Sequence, residues 1–424
     1  MPARRLNAIS LYTGVGGLDF GFEAAGFHTA AAVEFDAVAC RTMRLNRPDW
    51  GIIEGNIHDV SSAQILEVAS LKPGEADVLI GGPPCQPFSK SSYWVNGDAL
   101  RLDDPRADTL TAYLRVLRDT RPKAFLLENV YGLAYKGKDE GLKHLLEGIE
   151  QINRDVGTSY SVSWKMLNAA AYGVPQIRER VFLIGSRDGT QFRFPAPTHA
   201  AREEIDLLDG RAPYRTAWDA IGDLPDWPNE PSLDVGGKWG ELLPTIPEGQ
   251  NYLWHTNRGG GLRLFGWRTR YWSFLLKLAK NQPSWTIQAQ PGSAIGPFHW
   301  LSRKLSSREM CRIQTFPDDL VFDCGRTDLQ KMLGNAVPSL LAEVLAREIR
   351  RQLLSDTTRL GALHLLPPVR LPAPAPERLT KVPDHYVSLI GEHADHPGEG
   401  RLAAKTKRGR AEGAEERSLL EVAE

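Results

Sequence analysis

Short apolar runs alternate with amphipathic segments along the first half of the chain. The predicted strands cover residues 8–12, 29–34, 77–80, 124–128 and 180–185, and the helices between them cover residues 17–25, 36–46, 109–120 and 141–154. This alternation is typical of βαβ units. It predicts an α/β fold in which a parallel sheet carries helices on both faces.

The pattern changes after residue 187, so residues 1–187 are predicted to form the first part of a domain. From residue 188 to residue 295, Pro, Gly and Trp are frequent and no period is sustained, which predicts a smaller, loop-rich domain. Apolar periodicity returns in residues 296–354, which are expected to rejoin the first domain. Residues 355–424 begin with a proline-rich stretch and contain few aromatics, which predicts a mobile tail.

Composition narrows the function classes. The 424 residues are 42% hydrophobic and carry 51 Lys and Arg against 52 Asp and Glu, so any nucleic-acid surface must be local. The four cysteines are far apart without a C-x-x-C pair, so neither disulfides nor a metal site is expected. No apolar run reaches the roughly 18 residues of a membrane span, and we expect a cytoplasmic protein without a membrane partner.

A glycine-rich turn, T-G-V-G-G at residues 13–17, joins the first predicted strand to the first helix. Such a turn lets the backbone approach a ligand and directs helix N–H groups at an anionic group. Glu34 ends the next strand about 20 residues later, where a carboxylate can bind ribose hydroxyls. Together they favour a nucleoside cofactor, although the turn alone also fits a βα connection without a ligand.

Two reactive side chains follow neighbouring predicted strands. Cys85 lies in G-G-P-P-C-Q-P-F-S, residues 81–89, where prolines restrict the turn and fix the direction of the thiol. Glu128 closes the next strand, and apolar neighbours there would raise the pKa of its carboxyl group. This arrangement predicts a nucleophile beside a general acid. Taken singly, Cys85 also fits a packing role and Glu128 a turn-capping role.

Three polar side chains alternate in Q-I-R-E-R, residues 176–180. Gln176, Arg178 and Arg180 would share one face of an extended segment. Two guanidinium groups on one face suit a phosphate and a base carbonyl. The alternative is a strand edge whose charges are paired or solvated.

Residues 249–308 contain no Asp or Glu. Their basic residues are Arg258, Arg263, Arg268, Arg270, Lys277, Lys280, Arg303, Lys304 and Arg308, and the interleaved aromatics are Tyr252, Trp254, Phe265, Trp267, Tyr271 and Trp272. Basic and aromatic side chains together suit phosphate contact and groove entry, so the segment predicts a local DNA surface. A solvated basic face is the alternative.

Over roughly residues 8–350 the sequence resembles the DNA (cytosine-5)-methyltransferases, with their motifs in the same order. The turn at residues 13–17 resembles the family's S-adenosylmethionine loop, residues 83–86 its nucleophile motif, residues 128–130 its acid motif and residues 176–180 its Q-x-R-x-R motif. Residues 303–317 and G-N-A-V-P at residues 334–338 resemble the last two motifs. The resemblance implies a Rossmann-like methyltransferase domain with a smaller target-recognition domain.

The resemblance also implies which residues bind S-adenosylmethionine. They are Tyr12, Gly14, Gly16, Gly17, Glu34, Phe35, Asn56, Ile57, Pro84 and Asn335. Tyr12 and Phe35 would flank the adenine, and Glu34 would hold the ribose. Ser10 and Asn56 stand where acidic residues are frequent in the family, and an Asn carbonyl can accept the same hydrogen bond.

In the implied reaction, Cys85 adds to C6 of a cytosine that has been extruded from duplex DNA. A protonated Glu128 would stabilise the charge at N3, Arg180 would hold O2, and Arg178 would support a phosphate or the active-site loop. Residues 90–104 would close over the base. The residues predicted to contact DNA are Ser89, Lys90, Gln176, Arg258, Arg263, Arg268 and Arg270.

The family implies a restriction-modification enzyme that is nucleoid-associated through duplex DNA, with a cognate endonuclease in the same system but no stable complex. An RNA cytosine-5-methyltransferase of the tRNA-modifying type is disfavoured by the length of the recognition region. A catalytically silent homologue is disfavoured by the intact Cys85, Glu128, Arg178 and Arg180. A nicotinamide oxidoreductase is disfavoured because the glycine turn lacks a clean G-x-G-x-x-G.

Overall fold

The computed structural model describes most of the chain. The described ranges are residues 5–84, 108–130, 140–206, 209–225, 233–268, 271–356, 358–370 and 372–391. Cys85, Ser89, Lys90 and Arg270 lie outside these ranges, and so does the predicted loop at residues 90–104.

A seven-stranded sheet forms the centre of the described part of the first domain. In chain order the strands are β1 (Leu6–Leu11), β2 (Phe27–Glu34), β3 (Ile52–Glu54), β4 (Val78–Gly81), β5 (Ala124–Asn129), β6 (Ser163–Asn168) and β7 (Glu179–Ser186). Their order across the sheet is β3-β2-β1-β4-β5-β7-β6. Because β7 runs antiparallel to both β5 and β6, the prediction of a parallel sheet is wrong at this edge.

The connection between β6 and β7 explains the reversal. It contains only a short 3₁₀ turn, Ala169–Tyr172, whereas a parallel crossover needs a dozen or more residues and usually a helix. Strand β6 was not predicted from the sequence. Lys165 separates Trp164 from Met166, and all three are exposed, so no buried apolar run marks this edge strand.

Helices cover both faces of the sheet. They are α1 (Gly17–Ala24), α2 (Ala37–Asn46), α3 (Ser62–Ala69), α4 (Asp108–Thr120) and α5 (Glu140–Val156). Apolar residues of α3, α4 and α5 share one buried cluster with the sheet, and residues of α1 form a second cluster on the other face. The predicted α/β class is confirmed, and among the described elements before α4 the sequence pattern failed to predict only the short β3 and α3.

The rest of the described chain contains two short strands and five α-helices besides short 3₁₀ turns. They are β8 (His199–Ala200), β9 (Ala212–Pro213), α6 (Ala217–Ile221), α7 (Ser307–Ile313), α8 (Arg326–Asn335), α9 (Ser339–Leu353) and α10 (Asp384–Val387). Helix α9 packs against α1, where the chain was expected to return to the first domain. The approach is close, because a Cβ atom at Gly21 would overlap the Ser339 carbonyl oxygen.

Residues 233–268 and 271–298, called here the recognition region, are held together mainly by packed side chains. Trp239 lies 5.0 Å from Phe265 between ring centroids, and Tyr252 lies 5.6 Å from Phe274. These rings belong to one buried cluster. Leu278 and Ile287 instead pack in a cluster with α7, α8 and Phe20, so the predicted boundary at residue 295 does not separate two cores.

The chain after α9 is packed as well. Residues 358–370 and 372–391, called here the C-terminal strap, run along the protein surface, and Tyr386 is buried. The prediction of a mobile tail from residue 355 is therefore wrong for the strap, while residues 392–424 lie outside the described residues. Composition correctly indicates an extended chain without a core of its own, but it does not indicate where that chain docks.

Candidate active site

A cavity of about 610 Å³ opens at the carboxyl ends of β1 to β5, within the usual size range of small-molecule sites. Much of its lining was predicted from the sequence: Tyr12, Gly14, Gly17, Glu34, Phe35, Asn56, Ile57, Pro84, Glu128, Arg180 and Asn335. The topology therefore brings segments that are far apart in the sequence to one edge of the sheet.

The glycine turn builds one wall of the cavity. Gly16 is the N-cap of α1 with φ 87°, a left-handed conformation that favours glycine, and it does not line the cavity itself. A Cβ atom at Gly17 would overlap the carbonyl oxygen of Val337. Gly16 therefore shapes the turn, and Gly17 lets the segment after α8 approach it.

Glu34 ties the end of β2 to this turn. One carboxylate oxygen accepts a hydrogen bond from Gly14 N at 2.6 Å, and the other accepts one from Asp36 N at 2.7 Å. A carboxylate has about four acceptor positions, so both oxygens can still accept from hydroxyl groups. The neighbouring Phe35 ring is 77% exposed and lines the cavity, so its face is free to stack on a ligand.

Two other predicted cofactor residues have structural partners. The Tyr12 hydroxyl donates to Thr109 O at 2.7 Å, and its backbone has φ 54°, an uncommon value outside glycine. The Asn56 side-chain oxygen accepts from His58 N at 3.1 Å. That oxygen has a second lone pair, so Asn56 retains the capacity to accept from a ligand amino group.

The sequence analysis missed an ion pair at the cavity. Asp36 caps α2 and lies 3.0 Å from the Lys331 ammonium group of α8, and both residues line the cavity. Although partial burial opposes the shift, Lys331 and the N–H group of Val38 lower the pKa of Asp36. Asp36 was recognisable as a helix N-cap, but Lys331 has no local signal because only the tertiary fold brings α8 to α2.

Glu128 lies buried at the end of β5. Across the ladder it faces Phe182, so Arg180, two residues along β7, extends from the same face and places Nε 2.9 Å from Glu128 Oε1. Burial raises the pKa of Glu128, and the charges of Arg180 and Arg178 oppose that rise. The other carboxylate oxygen lies 3.0 Å from where a Cβ atom at Gly82 would stand, so a side chain there would crowd that oxygen.

Asn129 connects this strand to the turn before Cys85. Its side-chain amide donates to Pro83 O at 3.3 Å, and its side-chain oxygen accepts from Val130 N at 2.9 Å. Asn129 is only 2% exposed. The Glu128 side chain and the turn at residues 82–84 therefore share one wall of the cavity, while the position of Cys85 lies outside the described residues.

Arg178 and Gln176 occupy different surroundings from those expected. Arg178 is 1% exposed and donates from Nη2 to Gly334 O at 2.7 Å, and its Nε and Nη1 atoms have no hydrogen-bond partner among the described residues. Burial lowers the pKa of Arg178, and Arg180 adds to the effect. Gln176 is fully buried and accepts from Ile287 N at 3.4 Å. A surface contact with DNA is not available to either side chain in this arrangement.

The acid-free segment is not a uniformly basic surface. Arg258 and Arg263 are exposed and Arg268 is half-buried, whereas Lys277 and Lys280 are each 3% exposed. Carboxylates from outside the segment account for part of the difference, since Arg303 pairs with Glu309 at 2.7 Å and Lys280 pairs with Glu248 at 2.6 Å. A count of basic residues along the sequence cannot include these partners.

Some of the predicted DNA-contacting aromatics are also buried. Tyr252 and Phe265 belong to the buried ring cluster of the recognition region. Trp272 is 49% exposed and packs edge-on against Trp285 at 5.4 Å between ring centroids. The guanidinium group of Arg258 lies 3.8 Å from the centroid of the Trp267 ring. The exposed part of this region therefore combines arginines with tryptophans.

Comparison with known proteins establishes the family. Residues 6–351 match the sequence model of the family described as C-5 cytosine-specific DNA methylase. The chain belongs to this family. It is accordingly a DNA (cytosine-5)-methyltransferase, and the resemblance inferred from the motifs is confirmed.

Individual methyltransferases match over most of their length. The type II methyltransferase M.SacI of Streptomyces achromogenes is 41% identical over 372 residues, covering 82% of this chain and 93% of that protein. The type II methyltransferase M.NgoFVII of Neisseria gonorrhoeae is 33% identical over 360 residues, covering 84% of this chain and 89% of that protein.

Solved structures share the fold. A DNA modification methyltransferase encoded within an E. coli prophage superposes with a TM-score of 0.56 at 23% identity, covering 82% of this chain and 99% of that one. The Dnmt2 methyltransferase of S. pombe superposes with a TM-score of 0.54 at 15% identity, covering 84% and 100%. In the part of this methyltransferase that the structure describes, the helices are too short or too polar to cross a membrane.

Proposed function

We propose that the enzyme transfers a methyl group from S-adenosylmethionine to C5 of a cytosine extruded from a specific duplex DNA site, with Cys85 as nucleophile and Glu128 as acid. One observation carries this proposal. The ion pair between the buried Glu128 and the partly buried Arg180 lines the same cavity as the glycine turn and Glu34. A proton donor and a nucleoside-type pocket at one sheet edge are what this reaction needs.

The cavity fits S-adenosylmethionine in its polar and aromatic groups. The exposed Phe35 ring would stack on the adenine with Tyr12 on the other side, and Glu34 would accept from the ribose hydroxyls. The backbone of residues 14–17 and the exposed Asn335 would receive the methionine end. When bound there, the cofactor supplies an electrophilic methyl group.

Cytosine C5 is a weak nucleophile because its electrons belong to the conjugated ring. Addition of the Cys85 thiolate to C6 moves an electron pair toward N3, and Glu128 donates a proton there, so no buried anion accumulates. After methylation, loss of the C5 proton re-forms the C5–C6 double bond and expels the Cys85 thiolate, and the proton on N3 returns to Glu128. Burial favours the protonated form of Glu128 that this role requires.

The two arginines would have separate roles. Arg180, already beside Glu128, would donate to the O2 atom of the extruded base. Arg178 joins the start of β7 to the carbonyl group of Gly334, next to Asn335. We therefore infer that Arg178 supports the wall between the base site and the cofactor site, rather than contacting a DNA phosphate.

The recognition region would contact DNA through its exposed basic side chains. Arg258, Arg263 and Arg268 can pair with phosphates, and extrusion of the base costs a few kcal/mol that such contacts help to offset. The predicted contacts of Ser89, Lys90 and Arg270 lie outside the described residues and stay predictions.

Two of the most similar relatives are named type II methyltransferases. We infer that this enzyme also protects DNA in a restriction-modification system. A cognate endonuclease would then recognise the same site without forming a stable complex with the methyltransferase. Both proteins would act in the cytoplasm, at the nucleoid.

The proposal is tested by incubating the enzyme with S-adenosylmethionine and unmethylated duplex DNA, and measuring 5-methylcytosine by mass after digestion to nucleosides. Product from the wild type and none from Cys85→Ala is expected. Cys324→Ala is the matched control, because Cys324 is a partly exposed thiol that contributes nothing to the cavity wall.

Three outcomes would contradict parts of the proposal. Turnover by Cys85→Ala would reject the covalent route. Methylation of tRNA but not DNA would favour the RNA enzyme. Inactivity on both substrates, with S-adenosylmethionine bound, would favour the silent homologue.

A further inference from the structure

The family match ends at residue 351, yet the packed chain continues through the C-terminal strap to residue 391. We propose that the strap is a positioning element for DNA recognition, which holds the recognition region in a fixed orientation against the sheet domain. This inference rests on the proposed role of the recognition region in reading DNA. Four sets of contacts, in chain order, support it.

The strap is first anchored to α9 of the sheet domain. The backbone N–H groups of His364 and Leu365 donate to the two carboxylate oxygens of Glu343 at 2.8 and 3.0 Å. Arg347 donates to the carbonyl groups of Gly361 and Ala362, each at 2.7 Å. Because the Glu343 side chain is fully buried and also pairs with Arg347, this end is firmly held.

The strap next crosses α6. The backbone N–H of Arg370 donates to the Asp219 carboxylate at 2.8 Å, and its guanidinium group lies 2.8 Å from Asp223. Asp223 also pairs with Arg312 of α7 at 2.6 Å. The strap therefore joins an ionic network that links α6 to α7.

A buried lysine forms the third contact. The Lys280 ammonium group is 3% exposed and lies 2.6 Å from Glu248 and 2.9 Å from Glu377 of the strap. The backbone N–H of Glu377 donates to the Glu248 carboxylate at 2.9 Å. A buried charge is costly unless it is paired, so Glu377 stabilises the place where residues 248 and 280 meet.

The far end of the strap enters the aromatic cluster of the recognition region. Tyr386 is 2% exposed, its ring stacks on Trp239 at 5.8 Å with 16° between the planes, and its hydroxyl donates to Lys238 O at 2.6 Å. Thr380 N donates to Pro244 O at 3.2 Å just before this. One continuous segment therefore contacts both the sheet domain and the core of the recognition region.

The strap contributes no residue to the lining of the cofactor cavity. Its loss is therefore expected to change the use of DNA and to leave cofactor binding unchanged. A segment that merely stabilised the whole fold would affect both together.

The test compares the full chain with chains ending at residue 391 and at residue 356. The readouts are KM for cognate DNA, kcat, the ratio of methylation at cognate and single-mismatch sites, and Kd for S-adenosylmethionine. The chain ending at 391 should match the full chain. The chain ending at 356 should show KM for DNA raised on the order of tenfold and poorer discrimination, with the cofactor Kd unchanged.

Point variants keep the proposal testable if the chain ending at 356 does not fold. Tyr386→Ala should raise KM for DNA and weaken discrimination, whereas Tyr386→Phe, which keeps the stacked ring, should restore most of both. Glu377→Gln should act in the same direction. Lys381→Ala is the control, because Lys381 lies on the strap and its ion pair with Asp384 is 86% and 87% exposed.

An active wild type whose shortened chain and Tyr386→Ala variant keep KM and discrimination would overturn the proposal. Equal losses of DNA use, kcat and cofactor affinity would overturn it as well, because the strap would then be general scaffolding. A wild type that makes no 5-methylcytosine in DNA rejects the proposed function instead, so the two failures are distinguishable.

Discussion

The sheet domain and the recognition region are stabilised by different kinds of interaction. In the sheet domain, hydrogen-bonded ladders set the backbone and two apolar clusters cover its faces. In the recognition region, contacts between aromatic rings and ion pairs of buried lysines provide the stabilisation. Examples are the contact of Trp239 with Phe265 and the pairing of Lys280 with Glu248. The functional side chains of the sheet domain are consequently positioned by the ends of strands. Those of the recognition region are positioned by tertiary contacts.

This difference has a consequence for robustness. Glu34 and Glu128 stand at the ends of β2 and β5, so their positions follow from the register of the sheet. No strand of the described residues carries the exposed arginines of the recognition region, so we expect their placement to depend on side-chain packing and on the strap. We therefore expect substitutions in the sheet domain to affect chemistry and stability, and substitutions in the recognition region to affect DNA binding.

The largest effect is expected for Glu128→Gln. The amide keeps the size of the side chain but cannot donate the proton, so kcat should fall by 10²-fold or more, as is usual when an acid is removed. Because burial raises the pKa of Glu128, the wild type should stay active to higher pH than an ordinary carboxyl group would allow. Its kcat should then fall as pH rises through that pKa, and kcat measured against pH for both proteins checks this.

Cofactor affinity supplies the control for this variant, since Glu128→Gln should bind S-adenosylmethionine like the wild type. A variant that retains full kcat, or a wild type whose high-pH decline persists unchanged in the variant, would remove Glu128 from the role of acid.

A second test concerns Asp19, a buried carboxyl group of the sheet domain. Burial raises its pKa from 3.8 to about 7, against the opposing hydrogen bonds from Thr29 and Ser10. The folded protein therefore holds a proton that the unfolded chain loses near pH 4. The free energy of unfolding should fall as pH rises from about 4 to about 7, by an amount on the order of 4 kcal/mol, and should not change further above that for this group.

Asp19→Asn removes the titration and should flatten this slope. Thermal unfolding of both proteins between pH 4 and pH 8 measures it. Parallel curves for the two proteins would show that Asp19 is not the group responsible.

The third test uses the contact between the glycine turn and the segment after α8. Gly17→Ala would force a Cβ atom onto the Val337 carbonyl oxygen, which should cost about 1–3 kcal/mol and weaken cofactor binding. Gly236→Ala, in the recognition region, is the matched control because a Cβ atom there meets open space. Tm and the Kd for S-adenosylmethionine measure the difference between the two variants. Equal values would contradict a tight contact between the glycine turn and the segment after α8.

The smallest effect is expected for Trp272→Ala in the recognition region. Its half-exposed ring is available to a DNA base, so Kd for DNA should rise about fivefold, at the lower end of aromatic–base stacking, without a change in Tm. Trp164→Ala is the control, since Trp164 is 46% exposed on the edge strand β6 of the other half. If both variants bind DNA equally well, Trp272 is not part of the DNA surface.

Much of the sheet domain was predictable because its signals are local. Strand and helix periods, the glycine turn and the carboxylates at strand ends each depend on a few neighbouring residues. The sequence by itself therefore determined the α/β class, the family and many of the residues that line the cavity. Glu34, Phe35 and Glu128 are examples that the structure places there.

Only the tertiary structure decided the features that join distant residues. The antiparallel β7, the burial of Arg178 against Gly334 and the ion pair between Asp36 and Lys331 have no local signal. Lys280 and Glu377 are 97 residues apart in the sequence. The acid-free segment therefore predicts a free basic side chain at Lys280, whereas the structure pairs this lysine with Glu377. Electrostatic partners and docked chain segments are set by proximity in space, which periodicity along the sequence does not encode.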